Sequence, residues 1–215
     1  MDAIKNGKIA IEIASALIKY GRENRNVGRY YEASRKFDSL CEYIHGRGAK
    51  TLCPIGNLVI EDMITGSAAF QDMMETPVTS VNWDILSVMV YTSAFVGYSK
   101  GLLSPTDARW YLYAAARDMK ERFWDRAAIS IGCTYIGKLG DEPYYATPAE
   151  LLPDMQAAKA ALIDDVTIYN LEGILRYGKP EEWFETLLQC EPKIPPRSLK
   201  IDVVRSALQG ISRLA

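Results

Sequence analysis

Histidine is nearly missing from this chain: 215 residues contain one, His45. Chemistry built on several imidazoles is therefore out of reach. Glu42 and His45 have the i,i+3 spacing of carboxylate-bridged di-iron bundles, but those sites need a second such motif and two more glutamates. Cysteine is sparse as well. Cys41, Cys53, Cys133 and Cys190 are scattered with no C-x-x-C pair, so they read as reduced thiols of a cytoplasmic protein and not as a disulfide framework. Cys41, His45 and Cys53 would supply three zinc ligands with no fourth in view. No metal and no cofactor is expected.

Long apolar runs are absent too. The longest stretch without a formal charge is Ile85 to Ser99, ILSVMVYTSAFVGYS. As a helix it would rise about 22 Å at about 1.5 Å per residue, short of the roughly 30 Å of a bilayer core. No membrane insertion is expected. The apolar segment IAIEIASALI near the N-terminus is interrupted by Glu12 and reads as a first structural helix over 3–20. Low-complexity tracts and repeats of 30–45 residues are not visible.

What is present predicts an all-α fold. Ile85–Ser99 carries large apolar side chains in nearly every direction, as a helix surrounded by other helices needs. The sequence therefore predicts a helical bundle of about eight helices around a central apolar helix at residues 81–99. Further helices are expected over 30–45, 57–75, from Ser104 to at least 126, from Thr147 to about 177 with Pro153 kinking or restarting it and Asp164-Asp165 as a point of division, over 180–190 and over 198–214. Ser104-Pro105-Thr106-Asp107 and Thr147-Pro148-Ala149-Glu150 are strong start signals: a hydroxyl cap, a proline at the first helical position and an acid three residues after the cap. ISIGCTYIG, 129–137, fits either a helix or a short strand, and helix is preferred. The chain reads as one domain over 1–215. Residues 1–50 form a basic helical hairpin separable from the rest, and 139–148 is the internal boundary.

Charge is uneven. The net charge is −2. Residues 1–50 hold ten Lys or Arg against six Asp or Glu, a net of +4, so the remainder carries −6. Within the basic part, Arg22, Arg25, Arg29, Tyr30, Tyr31, Arg35, Lys36, Arg47 and Lys50 mix guanidinium and ammonium groups with aromatic rings. Such a mixture can hold phosphates and stack unpaired bases, so these nine residues are the candidate surface for RNA or single-stranded DNA. Gly46-Arg47-Gly48-Ala49-Lys50-Thr51 lacks the glycine spacing of a phosphate-binding P-loop. Glu181-Glu182-Trp183-Phe184-Glu185 resembles half of the carboxylate motif of the all-α nucleotide pyrophosphohydrolases, but the following E-x-x-D half is missing.

By elimination, the leading expectation is a non-catalytic α-helical interaction or assembly protein that self-associates as a homo-oligomer. A nucleic-acid-binding protein using the nine residues above is the alternative, and a carboxylate-metal enzyme is the third. No catalytic residue is assigned.

Overall fold

A computed structural model describes residues 27–74, 76–137 and 139–214. The expected helix over 3–20, Arg22 and Arg25 lie outside the described residues. The chain divides into two compact units, one comprising the residues up to Ile85 and from Asp202 onward, the other Leu86–Ile201.

The first unit contains helix α1 (Val27–His45), strand β1 (Leu52–Gly56) and the short helices α2 (Val59–Thr65) and α3 (Ala69–Met73). The helix expected over 57–75 is thus two pieces. Gly66 ends the first with φ +75°, a left-handed conformation that favours glycine. Helix α9 (Leu199–Leu214) contributes its residues from Asp202 onward to this unit. Buried polar bonds hold those residues to α2. Arg205 grips the Glu61 carboxylate with two nitrogens, at 2.7 and 3.3 Å. Gln209 donates to Glu61 Oε2 at 2.9 Å, and Ser212 donates to Asp62 Oδ1 at 2.7 Å. Asp62 Oδ2 also accepts from the amides of Phe70 and Gln71, which sets the start of α3.

The second unit overturns the all-α reading. Ile85–Val90 is strand β2, of which Leu86–Val90 lie in this unit, and Ala127–Gly132 and Asp165–Tyr169 are strands β3 and β4. Helices α4 (Thr92–Tyr98), α5 (Pro105–Phe123), α6 (Pro148–Ala160), α7 (Leu171–Arg176) and α8 (Glu181–Gln189) complete it. Residues 81–99 are therefore not one central helix, 129–137 does not continue a helix, and the helix begun at Thr147 stops at Ala160. The physical reason is burial on both faces. A parallel strand flanked by other layers is apolar along its whole length, and over six residues its pattern matches that of a buried helix.

β2, β3 and β4 pair in parallel and in sequence order, with Val88 opposite Ile129 and Ile129 opposite Val166. α5 and α6 pack against each other and both against β3, so the two crossovers lie on one side of the sheet. Alternate residues sort cleanly. Leu86, Val88, Val90, Ala127, Ile129, Ile131 and Ile168 are buried core on one face. Ser87 and Met89, then Ala128, Ser130 and Gly132, then Asp165, Thr167 and Tyr169 occupy the other.

Both capping signals form as read. Ser104 Oγ accepts from Asp107 N at 3.1 Å while Asp107 Oδ2 accepts from Ser104 N at 2.9 Å. Thr147 and Glu150 repeat the arrangement at the start of α6. All four cysteines are free thiols. Among the described residues no helix is long and apolar enough to cross a membrane.

Candidate functional site

The carboxyl ends of β2, β3 and β4 bring together residues that the sequence reading did not single out. Gly132 lies opposite Tyr169, and Tyr91, one step beyond the Val90–Ile131 pair, continues the same row. Across that row the Tyr91 and Tyr169 rings stack, 4.9 Å apart and 21° from parallel. They meet because the middle position has no side chain. A Cβ on Gly132 would sit 2.1 Å from the Tyr169 carbonyl oxygen, and its φ of +142° is itself a glycine conformation. The Tyr91 hydroxyl lies 3.3 Å from Ser130 Oγ, two residues back on the same face of β3. Burial pushes the Tyr91 phenol above its ordinary range, so it stays protonated at neutral pH.

Hydroxyls tie the strand ends to one another. Ser93 Oγ donates to the Gly132 carbonyl and accepts from Cys133 N. Thr134 Oγ1 donates to the Asn170 carbonyl and accepts from Asn170 N, while Asn170 Oδ1 caps α7 by accepting from Gly173 N. Cys133 itself is buried, which pushes its thiol up to about 11 and leaves no thiolate nucleophile at neutral pH.

The segment between β3 and α6 folds back along this edge. Tyr145 N donates to the Cys133 carbonyl at 2.8 Å, and the Tyr145 and Thr92 hydroxyls lie 3.0 Å apart. Tyr98 donates to Asp141 Oδ1 at 2.8 Å. Glu142 gathers the amides of Gly137, Leu139 and Gly140. Burial raises the Glu142 pKa, but these N–H donors outweigh it and hold the carboxylate below its usual range. A second ring pair, Tyr135 and Tyr144, stands 5.4 Å apart, with the Arg176 guanidinium 4.6 Å over Tyr135.

Beneath the edge, Asp154 is fully buried and bonded to the Thr92 hydroxyl and to Arg109 Nε. Burial pushes its carboxyl up to about 6, against the lowering effect of those two partners. The native protein then keeps a proton that the unfolded chain releases above about pH 4. Stabilisation from this group is complete below pH 4 and is lost as pH rises to 6, amounting to about 3 kcal/mol. In urea titrations from pH 4 to pH 7, wild-type stability relative to Asp154→Asn is expected to fall by about that amount.

Seven of the nine basic and aromatic candidates lie among the described residues. Arg29, Tyr30, Tyr31, Arg35 and Lys36 lie on α1, and Arg47 and Lys50 follow it. Arg29, Tyr30 and Lys36 line an open cleft of about 370 Å³ together with Glu32 and Ala33. Lys36 pairs with Glu32 at 2.7 Å, and the Arg47 guanidinium lies 3.5 Å above the Tyr43 ring. Arg35 and Lys50 are exposed. His45 Nε2 is 2.7 Å from Asp84 Oδ2, the oxygen that also accepts from Thr51 N and Thr51 Oγ1, so the imidazole serves a junction between α1, β1 and the start of β2. Those three bonds hold the Asp84 carboxyl well below its usual range. Among the described residues, no three His, Cys, Asp or Glu side chains are placed to hold a metal ion.

One signal for the tyrosine row was in the sequence. Short apolar runs ending in Tyr91-Thr92, Cys133-Thr134 and Tyr169-Asn170 mark strand exits, but only once the runs are recognised as strands.

Strands in sequence order, crossovers on one side and a hydroxyl-rich aromatic edge define the second unit as a singly wound parallel β/α fold. Comparison with protein-family models, curated proteins and solved structures finds no match to this chain.

Proposed function

We propose that this protein binds a small polar molecule at the carboxyl edge of β2, β3 and β4. The Tyr91–Tyr169 stack over Gly132 carries the proposal. Parallel β/α sheets take ligands outside the carboxyl ends of their strands, where side chains from several loops converge. Here that position holds half-buried aromatic rings and hydroxyls. Binding is favoured over turnover because the reactive groups nearby are already committed: Cys133 is a buried thiol, Asp154 lies in the core, and Glu142 is held by three amides.

A saturation-transfer NMR screen of the full chain tests this, using neutral sugars, nucleosides, amino acids and organic acids at millimolar concentration. At least one compound is expected to bind, and to bind at least about tenfold more weakly to Tyr91→Ala and Tyr169→Ala. A screen without binders, or binders indifferent to both substitutions, would overturn the reading.

Self-association is a second reading, supported by exposed apolar pairs on two other helices. Leu171 and Leu175 on α7, and Phe184 and Leu188 on α8, are i,i+4 pairs with 48–75% of their surface exposed. The occupant proposed for these pairs is a second copy of the chain. Light scattering should report a dimer that Leu175→Asp with Leu188→Asp converts to monomer. A wild-type monomer at all concentrations would end this reading. The free thiols support a cytoplasmic setting.

A further inference from the structure

We infer that the molecule held at the carboxyl edge is a neutral saccharide, whose ring lies flat on the Tyr91–Tyr169 platform. This rests on the binding reading above and adds the chemical class.

The edge does not suit an anion. Asp141, Glu142 and Glu172 stand around it. The two described cations nearby are already matched: Arg109 by Asp154, and Arg176 by Glu172 at 2.8 Å. A phosphate or carboxylate ligand would meet net negative potential, and neither of these two guanidinium groups is uncommitted. The side chain of Asn170 already fills the cap position at the start of α7.

Nor does the edge suit an organic cation. Aromatic cages hold a cation over ring faces. Here the cation position over Tyr135 is taken by Arg176, and Tyr91 and Tyr169 turn faces toward each other instead of walling a box. A nearly parallel ring pair leaves flat outer faces, which match the C–H face of a pyranose. The hydroxyls of Tyr91 and Tyr145, both half-buried, and the exposed Asp141 carboxylate then meet a ligand whose hydroxyls both donate and accept.

Titration of the full chain with cellotriose, maltotriose and triacetylchitotriose tests the class, followed by saturation-transfer NMR and tyrosine fluorescence. Inorganic phosphate, adenosine monophosphate and choline run alongside. At least one trisaccharide is expected to bind. Its affinity should fall at least about tenfold in Tyr169→Ala, and no more than about threefold in Tyr91→Phe, which keeps the ring and loses the hydroxyl. Far-ultraviolet circular dichroism confirms that each variant is folded. Binding of phosphate, adenosine monophosphate or choline that Tyr169→Ala abolishes, with all three sugars inert, would overturn the class and leave the site standing. If none of the six probes binds, the saccharide inference fails, and the wider screen of the preceding section decides the site by itself.

Discussion

Replacing Arg205 by alanine is expected to destabilise the first unit by about 3–5 kcal/mol. The Glu61 side chain is wholly buried and the Arg205 side chain is 9% exposed. The guanidinium meets both carboxylate oxygens, so its removal leaves a buried charge with only the Gln209 amide for company. Coulomb attraction is not the main term in that figure. The cost comes from stranding a carboxylate in a medium that solvates it poorly, and a matched pair of apolar replacements should recover much of it. Urea unfolding of Arg205→Ala, compared with Glu61→Met/Arg205→Met, measures both parts. Val203→Ala on the same helix, at a position 69% exposed, should shift stability by no more than about 0.5 kcal/mol. Equal losses in the Arg205 and Val203 variants would show that the ion pair contributes nothing.

The second large effect is expected at Gly132. Alanine there must place its Cβ against the Tyr169 carbonyl at 2.1 Å, in a backbone conformation that L side chains rarely adopt. The neighbour is main chain of the adjoining strand, so it cannot rotate aside. The combined steric and backbone cost is about 3 kcal/mol or more, and the near-ultraviolet signal of the coupled tyrosines should disappear with it. Gly178 is the control. It too has a positive φ, +83°, but its Cβ would enter open space, so Gly178→Ala should cost only about 1 kcal/mol. Thermal melts of the two variants distinguish a crowded position from a merely left-handed one.

Local signals along the chain were legible where a side chain answers to its own neighbours. Ser104 and Thr147 cap helices because the hydroxyl, the proline and the acid lie within four residues of one another. The terminal helix over 199–214 follows from its apolar period, and 181–189 from its acidic first turn. Strands β2, β3 and β4 were hidden because the property that defines them is pairing with residues about 40 positions away. ILSVMV and AISIG look alike as buried helix or buried strand until the partner is known. The same blindness covered the candidate site. Tyr91, Gly132 and Tyr169 are unremarkable apart, and become a platform only through register. The basic N-terminal mixture was visible for the opposite reason: it is a local composition, and composition says nothing of the ion pairs, such as Lys36 with Glu32, that engage its members.

The alternation along β3 gives this unit a division of labour with a stride of two. Ala127, Ile129 and Ile131 face the hydrophobic interior, while Ala128, Ser130 and Gly132, buried as well, share their face with Tyr91 and Tyr169. Enlarged side chains should therefore be poorly tolerated at every step of the strand, odd and even alike.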